Sequence, residues 1–181
     1  MNLIPESSPA GPATVFLSLG SNLGDRLGHL RTALLALRSA IRRLRVSPVY
    51  ETAPLYVIDQ PPFLNLVAQG ETSLSPPALL ALAKQHEAAG GRVSGPRFGP
   101  RPIDIDILFY GTLHVATPVL EIPHPRLCER RFVLAPLADL APEHRHPVTG
   151  QTIAALLAAL PCDPAAVQQI SPTMTMRVWE E

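Results

Sequence analysis

The chain has 181 residues, 46% hydrophobic and 17% charged, which suits one compact domain with a full core. Its 15 basic and 15 acidic residues cancel, so no overall basic field is available to hold nucleic acid or an anionic membrane. The two cysteines, Cys128 and Cys162, lie far apart without a C-x-x-C spacing, which excludes a disulfide framework and a zinc site and points to the reducing cytoplasm.

Residues 1–12 carry neither a basic n-region nor an apolar h-region. They are expected to be a disordered tail rather than a signal peptide, followed by a single domain over residues 13–181. No apolar run approaches the ~20 residues of a membrane span. Residues 14–19 (TVFLSL) read as a first strand, and residues 20–25 (GSNLGD) as a tight turn with Asp25 as a helix N-cap. The following helix has Leu27, Leu30, Leu34, Leu37, Ile41 and Leu44 on one stripe. Arg38, Arg42, Arg43 and Arg45 crowd its end, either as an anion site or as a solvated terminus suited to the macrodipole.

Residues 46–52 read as a second strand, which Pro48 confines to an edge or a bulge. A proline-rich loop follows (53–62, APLYVIDQPP), then a third strand by alternation (63–71). Ser75 and Pro76 open a second helix, which runs through Leu79, Leu80, Ala83 and Glu87 and stops at Gly90-Gly91.

Residues 92–110 (RVSGPRFGPRPIDIDILFY) hold the most chemistry. Their first half is a loop broken by Gly and Pro, with Arg92, Arg97 and Arg101 spaced along it. Their second half is a strand. Asp104 and Asp106 share one face and the isoleucines the other, with the carboxylates roughly 7 Å apart. Two readings stand. A hard cation such as Mg2+ sits between the carboxylates and binds substrate phosphates that the arginines also grip. Alternatively, the strand is an edge with a solvated acidic face.

Beyond it, residues 119–122 read as a short strand, 153–160 (IAALLAAL) as a helix and 167–170 as an edge strand. Pro123, Pro125, Pro136, Pro142 and Pro147 are expected to hold the loops between them. The order β-α-β-β-α-β predicts an α+β, ferredoxin-like core. Its antiparallel sheet carries both helices on one face, and the C-terminal α/β elements cover the other face, or a ligand occupies it.

Phe63 and Asn65 share a strand face and offer an aromatic ring beside an amide. They fit a heterocycle site, or a core Phe and a surface Asn. Phe132, read in a loop after Arg130-Arg131, is a second stacking wall or a core anchor. His124, between two prolines, is a phosphate contact or a structural residue. His86, His144 and His146 show no metal-ligand spacing and read as surface residues. The chain has no G-x-x-x-x-G-K-[ST] loop and no G-x-S-x-G elbow.

Taken together, the motifs GSNLGD (20–25), YETAPL (50–55), DQPPFLN (59–65), RFGPRPIDID (97–106) and IPHPR (122–126) resemble one family, the 6-hydroxymethyl-7,8-dihydropterin pyrophosphokinases of folate synthesis. The resemblance covers about residues 15–137. It implies transfer of pyrophosphate from ATP to the pterin hydroxymethyl group, with AMP released and two Mg2+ ions held by Asp104 and Asp106. It implies that Arg92 and Arg101 assist at the triphosphate, and that Arg97, Arg130, His124, Glu87 and Ile107 lie at the nucleotide. Asn65, with backbone groups near Thr52 and Leu55, would read the pterin edge, and Phe63 and Phe132 would sandwich its ring. The partners implied are small molecules, with no nucleic acid, no membrane and a monomeric chain.

The sequence departs from the family pattern at Ser94, where a second Arg is common, and at Phe98, where Trp is usual. Phe63 stands where Tyr is common, Pro125 where a Tyr occurs, and the arginine loop looks one residue short. Two other classes remain: a binding module that holds MgATP without forming AMP, and a metal-dependent phosphoester hydrolase. No fused second folate enzyme is expected in this chain.

Overall fold

A computed structural model describes residues 11–55, 57–91, 98–161 and 167–170. The chain runs β1 (Ala13–Ser21), α1 (Arg26–Leu37), β2 (Arg42–Val46), β3 (Tyr50–Thr52), β4 (Phe63–Thr72), α2 (Pro76–Ala89), β5 (Asp104–Tyr110), β6 (Val115–Ala116) and β7 (Glu121–Ile122). A 3-10 turn (Leu127–Glu129), α3 (Arg131–Leu140), α4 (Ile153–Ala159) and β8 (Val167–Gln169) complete it.

From Val15 onward β1 is buried, and it pairs antiparallel with β4 on one side and β5 on the other. The sheet order is β5-β1-β4-β3-β8, with β2 also on β4. With β2 and β3 counted as one broken strand, this is the expected ferredoxin-like arrangement. Strand alternation divides the core in two. Leu17, Leu19, Leu64, Leu66, Ile105 and Ile107 face α1 and α2, where Leu30, Leu34, Leu37 and Leu79 meet them. Each fully buried leucine is worth about 1.5–3 kcal/mol. Phe16, Val67, Leu108 and Phe109 face the other way, onto Val133, Leu134, Leu137, Ile153 and Leu156 of α3 and α4. A register shift opposite Phe16 and Leu17 leaves Leu108 as the extra residue of a bulge. As a result Leu108 and Phe109 fill one core while Tyr110 returns to the other.

Asp25 caps α1 as expected, accepting from the Gly28 amide at 3.0 Å. The helix ends at Leu37, however, and does not reach Leu44. Ile41 leaves the helix to pack on Gly70, where a Cβ would lie 2.4 Å from its methyl, and Arg42 onward becomes β2. The arginines expected at a helix end therefore lie on a strand, with Arg38 alone at the cap. The expected strand over 46–52 is split in two. At the break, Ser47 takes the strand's place: its amide donates to Val67 O and its hydroxyl accepts from Val67 N, both at 2.9 Å.

The C-terminal third holds more helix than expected. α3 spans residues read as loop, with Pro136 inside it, because burying Val133, Leu134 and Leu137 outweighs the lost amide bond. Residues 119–122 shrink to β7, which pairs with β6. His144 and His146 are not surface residues. The His144 ring lies 4.8 Å from both Phe16 and Phe109, and His146 is 7% exposed. Among the described residues, no helix is long and apolar enough to cross a membrane.

Candidate active site

One pocket opens on the sheet face that carries α3. Its floor is built from paired strands. Gly20 of β1 lies between Asn65 of β4 and Asp104 of β5, and Ser18 lies between Val67 and Asp106. A single glycine thus separates an amide from a pair of carboxylates. The register gives the reason, since these residues share one face by two-residue periodicity.

At the amide end, Asn65 is 4% exposed and donates from Nδ2 to Thr52 Oγ1 at 2.7 Å. Gly20 leaves the amide its space, because a Cβ there would stand 2.8 Å from Asn65 Oδ1. Phe63 and Leu55 line this end from the strand and the adjoining loop, and Phe132 and Val133 line it from the start of α3.

At the acidic end, Asp104 pairs with Arg101, Oδ2 to Nη1 at 2.9 Å. Burial, together with the charge of Asp104, pushes the Asp106 carboxyl up to about 6. A buried carboxyl whose proton affinity is raised beside a second carboxylate fits a cation between the two. Among the described residues no three His, Cys, Asp or Glu side chains gather to hold a metal. The donor set is thus two carboxylates, which suits a hard divalent ion that completes its shell from phosphates and water.

His124 and Arg130 close this end. The His124 amide donates to Leu108 O at 3.0 Å, and its Nδ1 accepts from the Arg126 amide at 3.2 Å, which leaves the proton on Nε2. Burial, aided by the Arg130 charge, lowers its pKa to about 4. An unperturbed imidazole titrates near 6.5, so this one is neutral at pH 7. Because the folded value is depressed, its contribution to stability is present above pH ~6.5 and is lost as pH falls toward ~4. The His124 ring resonances are expected to stay fixed between pH 5.5 and 8 in a proton NMR titration. A midpoint near 6.5 would show an exposed ring instead.

The pocket gathers Thr52, Leu55, Phe63, Asn65, Arg101, Asp104, Asp106, His124, Arg130 and Phe132, all singled out from sequence. Arg92 and Arg97 lie outside the described residues. Two others do not line the pocket. The Ile107 side chain belongs to the helix-side core and points away from the pocket. Glu87 is 3% exposed on α2 and faces the main chain of β5 rather than the pocket. The Ile107 placement follows from strand alternation, which puts odd-numbered residues of β5 on the helix side until the bulge.

Ser18, Gly20, Asn22 and Gln60 take roles that the sequence motifs do not assign. Asn22, 1% exposed, joins three segments. Its Nδ2 donates to Gln60 Oε1 at 3.0 Å and Pro61 O at 3.1 Å, and its Oδ1 accepts from the Arg101 amide at 2.8 Å. Gln60 in turn donates to Phe98 O at 3.0 Å. Asn22 and Gln60 fall within the GSNLGD and DQPPFLN motifs, which mark both segments without showing the link between them.

The fold defines a ferredoxin-like α+β protein with a pocket on the sheet face opposite its first two helices. Residues 16–142 match the family described as 7,8-dihydro-6-hydroxymethylpterin-pyrophosphokinase (HPPK). A 2-amino-4-hydroxy-6-hydroxymethyldihydropteridine pyrophosphokinase of Bacillus subtilis is 46% identical over 127 residues, covering 69% of this chain and 76% of that protein. Its namesake from Pseudomonas aeruginosa is 43% identical over 149 residues, covering 81% and 91%. The mitochondrial folate synthesis bifunctional protein of Pisum sativum is 52% identical over 127 residues, 70% of this chain, and this chain spans only 25% of its length. Among solved structures, Plasmodium falciparum HPPK-DHPS with pterin and p-hydroxybenzoate aligns at a TM-score of 0.67 and 20% identity, over 84% of this chain and 44% of that one, and shares the fold. The chain belongs to the 7,8-dihydro-6-hydroxymethylpterin-pyrophosphokinase family.

Proposed function

We propose that the chain transfers the pyrophosphoryl group of ATP to the hydroxymethyl oxygen of 6-hydroxymethyl-7,8-dihydropterin in folate synthesis. The oxygen–phosphorus bond forms at the β-phosphorus, the bond from that phosphorus to the bridging α,β-oxygen breaks, AMP leaves, and the hydroxyl proton passes to solvent. One observation carries this reading. Asn65 and Phe63 stand at one end of a sheet face and Asp104 and Asp106 at the other, across the bare backbone of Gly20. A flat heterocycle with donor and acceptor edges suits the first end, and a metal-bound polyphosphate suits the second.

Two Mg2+ ions held by Asp104 and Asp106 would neutralise the phosphates and lower the pKa of the attacking hydroxyl. The chain's own groups orient the reactants. The Asn65 amide, fixed by Thr52, pairs with the pterin edge, with backbone groups near Thr52 and Leu55 beside it, and Phe63 and Phe132 flank the ring. Neutral His124 donates from Nε2, and Arg130 and Arg101 supply positive charge toward the phosphates. Arg92 and Arg97 are proposed to complete that charge. No side chain at the site stands out as a general base, and transfer by positioning needs none.

Arg101→Ala is expected to lower turnover by about 10²–10³, the usual cost of one charge-stabilising donor, with pterin affinity nearly unchanged. Equal losses in turnover and pterin affinity would place Arg101 in the pterin site instead. The function itself is tested with ATP, Mg2+ and hydroxymethyl-dihydropterin, with AMP and pterin diphosphate measured. Stoichiometric formation of both supports the reading. Binding of MgATP without AMP would make the chain a binding module, and AMP or phosphate release without the pterin would make it a hydrolase.

We also propose a monomer acting in the cytoplasm. What supports the monomer is that both long sheet edges are blunted: β8 covers β3, while Glu87 and His124 occupy groups on the outer edge of β5.

A further inference from the structure

Glu87 is a buried carboxylate outside the residues that line the pocket. It lies on α2, and its Oε1 accepts from two donors, the Ile105 amide at 2.8 Å and Lys84 Nζ at 2.8 Å. Ile105 is the residue between Asp104 and Asp106. β5 is the terminal strand of the sheet, so the outward amide of Ile105 has no strand beyond it to accept its hydrogen. The Ile105 side chain is fully buried among the helix-side residues. Its main chain is therefore pinned in two directions, by packing from one side and by a charge-assisted hydrogen bond along the sheet.

A buried carboxylate is costly to keep unless it is paired. Lys84 provides the pair from one helical turn earlier and is the chain's sole lysine. Half-exposed, it brings its charge to the carboxylate from the solvent side. A Gln at position 87 would satisfy the same amide without a buried charge, so the satisfied amide alone does not account for an ion pair. An anion–cation pair gives a stiffer anchor than a neutral amide, and this one holds the residue that carries an aspartate on either side.

We propose that the Glu87–Lys84 pair is a positioning device for the two aspartates, holding β5 at Ile105 so that both carboxylates keep the spacing a divalent cation needs. The proposal rests on the reading of Asp104 and Asp106 as metal ligands. A shift of the strand at Ile105 moves both carboxylates together, whereas the pterin end of the pocket stands on β4 and β3 and does not depend on this anchor.

The test uses the full-length chain with Glu87→Ala, Glu87→Gln and Lys84→Met. The metal-free readout is hydrogen exchange of the Ile105 amide by NMR. The metal readouts are Mn2+ binding by electron paramagnetic resonance and the Mg2+ concentration for half-maximal rate. In Glu87→Ala, Ile105 exchange is expected to speed up by about 30–100-fold relative to β1 amides, consistent with loss of a hydrogen bond to a charged group. The metal requirement is expected to rise about tenfold, with pterin affinity within about twofold of the original. Glu87→Gln restores most of the Ile105 protection and part of the metal affinity, and Lys84→Met weakens metal binding by an intermediate amount.

A lower melting temperature in Glu87→Ala with unchanged metal dependence overturns the proposal and leaves Glu87 a stability residue. So does a Glu87→Gln variant no better than Glu87→Ala. If Glu87→Ala fails to fold, the Gln and Met variants decide by the same readouts. Failure of the metal reading itself shows differently: Mn2+ binding would then survive Asp104→Asn and Asp106→Asn, whatever the exchange of Ile105.

Discussion

Asp104→Ala and Asp106→Ala are each expected to reduce turnover by more than about 10³-fold while the pterin still binds, because metal-assisted charge stabilisation is the main source of rate in phosphoryl transfer. The two carboxylates share a sheet face, and Asp106 already resists ionisation beside its neighbour. Removing either leaves too few protein oxygens to hold a divalent ion at the phosphates. The amide end lies across Gly20 on different strands, so it keeps its shape. Steady-state rates with saturating ATP, and pterin binding by fluorescence, check both halves. Near-normal turnover in either variant would remove the metal assignment. The variants also differ in stability. The raised pKa of Asp106 means the metal-free protein loses stability as pH rises through about 6, so Asp106→Ala relieves a strain that Asp104→Ala relieves only indirectly.

Gly20→Ala is expected to raise the pterin KM by about 10–100-fold, the cost of misplacing one buried hydrogen-bonding group. The new methyl would lie 2.8 Å from Asn65 Oδ1, closer than van der Waals contact permits. An Asn at the end of a free side chain would swing away at little cost. This one is held by Thr52 at 2.7 Å and buried, so it gives up either that bond or its alignment to the ligand. ATP affinity is expected to change by less than about threefold, since the carboxylates sit on β5, beyond the glycine. Isothermal titration with the two ligands separately gives the comparison. Equal loss of both ligands would mean that the substitution disturbs β1 as a whole.

The acidic end of the site was legible in the sequence because a strand of alternating Ile and Asp has only one way to face a core. Asn65 and Phe63 were legible for the same reason. What the sequence hid came from contacts distant along the chain. Asn22 acts through partners 38 to 79 residues away, so the motif at 20–25 marks it without showing what it holds. The end of α1 was misread because Ile41 is core in either a helix or a strand, and Gly70 of β4 decides which. Pro136 argued against α3, yet the second core supplies more apolar contact than the helix loses in hydrogen bonding. The family pattern puts Glu87 at the nucleotide, and the edge position of β5 also gives it the Ile105 amide as a partner, which the sequence does not show. Arg92 and Arg97 fall outside the described residues.

The ion pair between Arg101 and Asp104 has a consequence for how the site is filled. With the guanidinium in place, the carboxylate end has a resident counterion, and a bare divalent cation would bind there more weakly than one delivered on a polyphosphate. A cation arriving on a polyphosphate would bring its own anion, to which Arg101 would transfer as Asp104 is released. On the proposed reading the exchange would conserve the number of opposite-charge contacts, so a divalent ion would bind more tightly together with the polyphosphate than by itself.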